Sequence, residues 1–153
     1  MKIFRKGKFM KTEVLIITLN YNQNDYTIKC VESILQSDYE NHSILLIDNG
    51  STNENYTELK NKLPVNEKVY LHRIKQNRGY VGGINYGLEE GAKLKPDYFL
   101  IMNNDTIIDK VAISELVRTC MDYNNQAIVT GKVYHYDEPQ KIQHVGYSLK
   151  SKK

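Results

Sequence analysis

Asp48, Asp105, Arg78 and a set of asparagines are the residues whose chemistry stands out, because each follows an apolar run. In FLIMNNDTIID, residues 99–109, a strand-like run gives way to Asn103, Asn104 and Asp105. In SILLIDNGS, 43–51, a second apolar run ends in Asp48. VLIITL leads into Asn20, Tyr21 and Asn22, and EKVYLHRI leads towards Asn77, Arg78 and Gly79. Asp105, with the carbonyls of Asn103 or Asn104, suits a hard divalent cation such as Mg2+ or Mn2+. Asp48 can accept from a ribose hydroxyl or a base N–H. Asn22 and Tyr21 can flank a base, Tyr21 by stacking. Arg78 is a permanent cation beside a helix start at Gly79 and suits phosphate oxygens.

Each residue also has a plainer use. Asp48 can cap a helix starting near residue 52, and Asp105 with Thr106 can form an Asx-turn. Gly79, Gly82 and Gly83 can serve only close helix–sheet packing. Tyr21 is one of 12 tyrosines. What favours a site is convergence: four polar strand ends on one rim are better explained by a polar ligand than by four independent turns.

Convergence depends on the elements. The apolar pattern predicts strands over 13–19, 43–48, 67–74, 97–102 and 127–134, with another over 141–149. It predicts helices over 25–37, 52–63, 79–94 and 109–123. Apolar, unalternating strands that alternate with helices give an α/β fold, a mostly parallel open sheet with helices on both faces. In such sheets a ligand binds outside the carboxyl ends of the strands. Asp48 and Asp105 are therefore expected to face one cleft. The turn NYNQND after the first strand has no glycine, which excludes a dinucleotide fingerprint, and no GxxxxGK[ST] occurs. A mononucleotide arrangement remains.

The totals fit one globular domain over 13–149, between a basic extension at 1–12 and a basic tail at 150–153. The chain has 153 residues, 41% of them hydrophobic and 25% charged. The formal charge of +3 is carried by one end. Residues 1–11 hold five Lys/Arg and no acid, so 12–153 carry −2, the difference between +3 and +5. A near-neutral body gives no footprint for nucleic acid. The basic arm reads as a frayed terminus or as a peripheral contact with an anionic membrane surface. The longest apolar run is strand-sized, well short of the ~20 residues of a membrane helix. Cys30 and Cys120 lie far apart without a CxxC and read as buried reduced thiols of a cytoplasmic protein. The four histidines lack zinc-ligand spacing.

Taken in order, these segments resemble the N-terminal half of a family-2 glycosyltransferase with the Rossmann-like GT-A fold. VLIITLNYNQNDYTIKCVESILQSDY resembles the family's opening strand, turn and helix, and SILLIDNGSTNE its vvDNgStD motif. NRGYVGGINYGLEEG resembles its N.G.a.g.N.g segment, and LIMNNDT stands at its Asp-x-Asp-like motif. The wording NYN and NNDT is closest to the rhamnosyltransferase-like branch. The resemblance covers about residues 13–146. It implies a nucleoside diphosphate sugar donor, a UDP- or dTDP-sugar, and a saccharide or lipid-linked acceptor in cell-wall or polysaccharide synthesis at the cytoplasmic membrane face. The donor-binding set it implies is Leu19, Tyr21, Asn22, Asp48, Asn77, Arg78, Gly79, Asn85, Asn103 and Asn104, with Asp105 on a divalent cation.

Two departures qualify the resemblance. Asn103 and Asn104 stand where many members carry Asp, so metal affinity is expected to be low or the metal dispensable. Members are also usually longer, and their C-terminal half supplies the acceptor site and the carboxylate base. Inverting transfer needs that base, because the acceptor hydroxyl loses its proton as it attacks the anomeric carbon. Asp137 and Glu138 are the only late carboxylates, and YDEPQK reads as a turn around Pro139. The base is expected beyond residue 153, and the chain is expected to be an incomplete enzyme: truncated, split or degenerate. The rival readings are a non-catalytic nucleotide-sugar-binding module, a subunit completed by a second copy or a C-terminal partner, and a nucleotidyltransferase. The last usually needs a glycine-rich basic loop after the first strand, which is missing. A flavodoxin-like regulatory domain would leave Arg78 and Asn85 unexplained.

Overall fold

The computed structural model describes residues 12–146. The basic arm at 1–11, the tail at 150–153 and the end of the strand expected at 141–149 lie outside the described residues. The chain divides after Lys110 into two compact units, where the sequence pattern had suggested one domain.

In the first unit, four parallel strands form a sheet in the order β3-β2-β1-β4: β1 (Val14–Asn20), β2 (His42–Asn49), β3 (Val69–Ile74) and β4 (Tyr98–Ile101). The two most apolar runs take the centre. Every residue of β2 is buried, as a strand covered on both faces requires. The edge strands β3 and β4 are shorter and more exposed.

Helices α1 (Asn24–Leu35), α2 (Asn53–Lys62) and α3 (Gly79–Ala92) connect the strands. Strand parity sorts them between the faces. Leu15, Ile17, Leu45 and Ile47 project to one side, where they cluster with Ile74 and with Ile84 of α3. The alternate positions, Ile16, Thr18, Ile44 and Leu46, face the opposite way, and α1 packs against β1 through a side that buries Cys30, Val31 and Ile34. Burying each such aliphatic side chain contributes about 1.5–3 kcal/mol.

Helix α3 approaches closely because Gly87 and Gly91 face the sheet. A Cβ on Gly87 would stand 2.7 Å from Ile17 Cγ2, and one on Gly91 2.6 Å from Leu15 Cδ2. The second helix is capped by Thr52, whose hydroxyl accepts from Asn55 N at 3.2 Å. Asp48 therefore does not cap it. No helix among the described residues is long and apolar enough to cross a membrane.

The second unit holds α4 (Ala112–Asp122) and a two-stranded antiparallel ribbon of β5 (Val133–Tyr134) and β6 (Ile142–His144). This corrects the expectation of a fifth parallel strand over 127–134. Only two residues of that run pair, and Ile128 is 99% exposed. The short link 135–141 turns the chain straight back, so the two residues that do pair meet β6 antiparallel. Asp137 and Glu138 lie in this exposed turn, where Lys141 Nζ reaches Glu138 Oε1 at 3.4 Å.

Two outcomes follow from this packing. Gly87→Val should cost about 2 kcal/mol in urea denaturation, because the added methyls have no room against Ile17; unchanged stability would contradict the close approach. His42 is 5% exposed, and burial pushes its pKa below the usual 6.5, opposed by a hydrogen bond to the Tyr39 carbonyl and assisted by Lys68. The unfolded chain then binds the proton more readily than the folded one. Stability is retained above pH 6.5 and lost as the pH falls below it. His42→Gln should flatten the decline between about pH 6.5 and 5, measured by denaturation at each pH.

Candidate functional site

The carboxyl ends of the four parallel strands open on a cavity of about 350 Å3. Leu19, Tyr21 and Gln23 line it after β1, and Asn49 at the end of β2. Asn77, Gly79 and Tyr80 contribute after β3, and Asn103, Asn104 and Asp105 after β4. Seven sequence-predicted residues thus meet on one rim: Leu19, Tyr21, Asn77, Gly79, Asn103, Asn104 and Asp105. Tyr21, 49% exposed, presents its ring there.

Asp48 does not line the cavity, which corrects the expectation that it shares a cleft with Asp105. Its side chain is 0% exposed. In register with it on β1 stands Asn20, whose Nδ2 donates to Asp48 Oδ1 at 3.0 Å. Asp48 Oδ2 lies 3.5 Å from Arg73 Nε. The Arg73 guanidinium also donates to Ser51 O and Asn53 Oδ1, each at 3.0 Å, and lies over the Tyr56 ring at 4.2 Å. Asp48 is therefore buried within a polar cluster that joins β1, β2, β3 and the start of α2.

The physical reason is parity. On β2 the side chains of Leu45, Ile47 and Asn49 share the α3 face, while Asp48 shares the opposite face with Ile44 and Leu46. The cavity lies on the Asn49 side. Sequence reasoning chose the charged residue and missed its neighbour, although the strand's alternation carried the signal.

Asn49 also organises the rim. Its Nδ2 donates to Asn77 Oδ1 at 3.2 Å and Gly79 O at 3.0 Å, and its Oδ1 accepts from Arg78 N at 3.1 Å. Gly50, at φ +81°, presses backbone against backbone, since a Cβ there would lie 2.3 Å from Asn77 N. Asn77 Oδ1 also accepts from Gly79 N at 2.7 Å. The Arg78 guanidinium lies over Tyr86 at 5.5 Å and does not line the cavity. Asn85 is exposed on α3 and does not line it either. Asn22, at φ 54°, joins the first two turns instead: its N donates to Ser51 Oγ at 3.0 Å, and its Oδ1 accepts from Thr52 N at 3.0 Å. Gln23 and Tyr80 are cavity residues with no distinguishing sequence signal.

The segment carrying Asp105 lies along α1. Asn104 Nδ2 donates to Thr27 Oγ1 at 2.8 Å, Cys30 Sγ to Asn103 O at 3.7 Å, and Ile108 N to Ser33 Oγ at 3.2 Å. Thr27, Cys30 and Ser33 recur every three residues, one face of a helix. Burial pushes the Cys30 thiol up to about 12, so it remains protonated. Cys30 and Cys120 are both free, Cys120 half-buried rather than fully so.

Among the described residues no three His, Cys, Asp or Glu side chains gather to hold a metal. The oxygens at 103–105 include one carboxylate. They fit a hard cation that takes its other ligands from a substrate diphosphate and water, not one enclosed by protein alone.

A family model described as glycosyl transferase family 2 matches residues 15–152. The chain belongs to glycosyl transferase family 2. Among curated family relatives it is 26% identical over 129 residues to glycosyltransferase GlyG of Streptococcus pneumoniae, covering 84% of this chain and 42% of that protein. It is 27% identical over 111 residues to poly-beta-1,6-N-acetyl-D-glucosamine synthase of Staphylococcus aureus, covering 72% and 26%. The chain thus spans less than half the length of these relatives. Among solved structures, the mannosyltransferase PcManGT of Pyrobaculum calidifontis, in complex with GDP-Man and Mn2+, aligns with TM-score 0.63 and 16% identity over 72% of this chain and 32% of its own. TarS 1-349 of S. aureus, in complex with UDP-GlcNAc, aligns with TM-score 0.60 and 16% identity over 83% and 42%. These likenesses establish the GT-A fold within the family.

Asp48→Ala should destabilise the protein by about 3 kcal/mol, because it removes the buried acceptor of Asn20 Nδ2 and the carboxylate that faces the Arg73 guanidinium. Asp48→Asn should cost less. Chemical denaturation of both checks this; a fully stable alanine variant would contradict a structural Asp48.

Proposed function

We propose that this chain binds the donor of a glycosyl transfer, a nucleoside diphosphate sugar of the UDP or dTDP kind, in the cavity at the strand ends. The observation that carries the reading is the lining: amides, two tyrosines and one carboxylate, Asp105, with no lysine or arginine among them. A diphosphate placed there needs its charge offset, and Asp105 with the Asn103 and Asn104 carbonyls is the group suited to hold Mg2+ or Mn2+. Such a cation, when bound, would stabilise the negative charge of a departing diphosphate. The protein's own residues position the donor. Tyr21 or Tyr80 offers a face to the base, and Asn49 with Asn77 holds the turn that closes the nucleoside end. The complex of PcManGT with GDP-Man and Mn2+ supports the cation, and that of TarS with UDP-GlcNAc the donor class.

Transfer would invert the anomeric centre, with a saccharide or lipid-linked hydroxyl as acceptor at the cytoplasmic membrane face. The acceptor's proton needs a base other than Asp105, which is assigned to the cation, and among the described residues no second carboxylate lines the cavity. That favours a second reading, a donor-binding module completed by a partner or a second copy. Phe99 and Ile101, 40% and 42% exposed on edge strand β4, offer an apolar surface for such an assembly.

Calorimetric titration with UDP, dTDP and GDP, with and without Mn2+, tests the donor reading. Metal-dependent binding should fall at least about tenfold in Asp105→Ala, with the unfolding midpoint unchanged because Asp105 is exposed. Absence of binding by any nucleotide, or full affinity in the variant, would overturn it.

A further inference from the structure

We propose that Thr27 is a positioning residue of the donor site, whose hydroxyl fixes which end of the Asn104 amide faces the cation. The inference rests on the donor reading and adds to it a buried device, anchored at Asp48 and ending at the cavity.

Asp48 Oδ1 serves as the acceptor at the buried end of the chain. Asn20 must therefore turn its NH2 towards it, and Asn20 Nδ2 donates to Asp48 Oδ1 at 3.0 Å. The Asn20 carbonyl oxygen then faces Thr27, whose hydroxyl donates to it at 2.8 Å. The Gln23 carbonyl stands 3.0 Å from the same hydroxyl. Both neighbours are obligate acceptors, so the single hydroxyl proton is committed to one or shared between them. Only lone pairs remain for Asn104. At 2.8 Å from Thr27 Oγ1, the Asn104 side chain must present its N–H. Its carbonyl oxygen diverges from that bond by the geometry of a planar amide.

Asn104 lines the cavity beside Asp105. The chain of bonds thus gives the cavity an amide oxygen next to the Asp105 carboxylate, rather than an NH2 that would repel a cation. Oxygen is what Mg2+ and Mn2+ take. Asp48, excluded from the cavity by parity, reaches it through Asn20, Thr27 and Asn104. Thr27 and Asn20 are both 0% exposed, which protects the chain from competition by water.

The test pairs a measurement on the free protein with one on the loaded protein. In 15N NMR of the free wild type, the Asn104 side-chain NH2 should exchange with solvent at least about tenfold more slowly than an exposed asparagine amide. Thr27→Ser should keep that protection and Thr27→Val should abolish it. Thr27→Val should also weaken binding of UDP with Mn2+ by about tenfold or more, while Thr27→Ser restores it. An Asn104 NH2 that exchanges freely in folded wild type overturns the proposal without any variant. A folded Thr27→Val that binds UDP and Mn2+ with full affinity overturns it too. Wild type that binds no nucleotide instead sinks the donor reading, which separates the two failures.

Discussion

A carboxylate at the end of a central strand, enclosed on every side, is the constraint around which the rim of this sheet is organised. Asp48 loses its hydration on folding, and such a charge is tolerated only where partners replace the water. Asn20, on the neighbouring strand, donates to Oδ1, and Arg73, on the strand beyond, offsets the charge at Oδ2 across 3.5 Å without a hydrogen bond. Because those partners come from β1 and β3, the contacts of Asp48 tie the ends of three strands to one another. The turns that follow them inherit that precision.

Two residues adjacent in sequence divide the work. Asp48 turns towards the α1 face and holds the framework; Asn49 turns the other way and holds the turn that closes the cavity. Glycine supports the same closure, since Gly50 lets backbone meet backbone where any side chain would collide. The Asn103–Asp105 tip is secured from a third direction by the face of α1 that carries Thr27, Cys30 and Ser33. An oxygen-rich recess with one exposed carboxylate can then stay open without collapsing, because its walls are fixed from behind.

Much of this was legible in the sequence. The four parallel strands, the three helices between them and the polar rim follow from hydrophobic period and from where each apolar run stops. The family follows from the ordered motifs. What escaped was of two kinds. Strand parity carried the choice between Asp48 and Asn49, and the charged residue was preferred; at the turn after β3, Asn77 and Gly79 were named together with Arg78, and only the first two line the cavity. The polar face of α1 was not legible as such. Thr27, Cys30 and Ser33 read as ordinary helix residues until the chain at 103–108, more than seventy positions away, is laid against them. The segment 127–134 failed for a related reason: a β-rich run becomes a strand only where a partner's backbone lies alongside, and the sequence does not show the partner.

The central claim is that the carboxyl rim of β1 to β4 receives the diphosphate end of a nucleotide. Mapping backbone amide shifts in 15N NMR during titration with UDP and Mg2+ tests it most directly. The account predicts changes at Leu19, Tyr21, Asn49, Gly79 and Asp105, around the cavity. Changes confined to the opposite end of the sheet, around Glu13, His42 and Lys68, or no change at all, would contradict it.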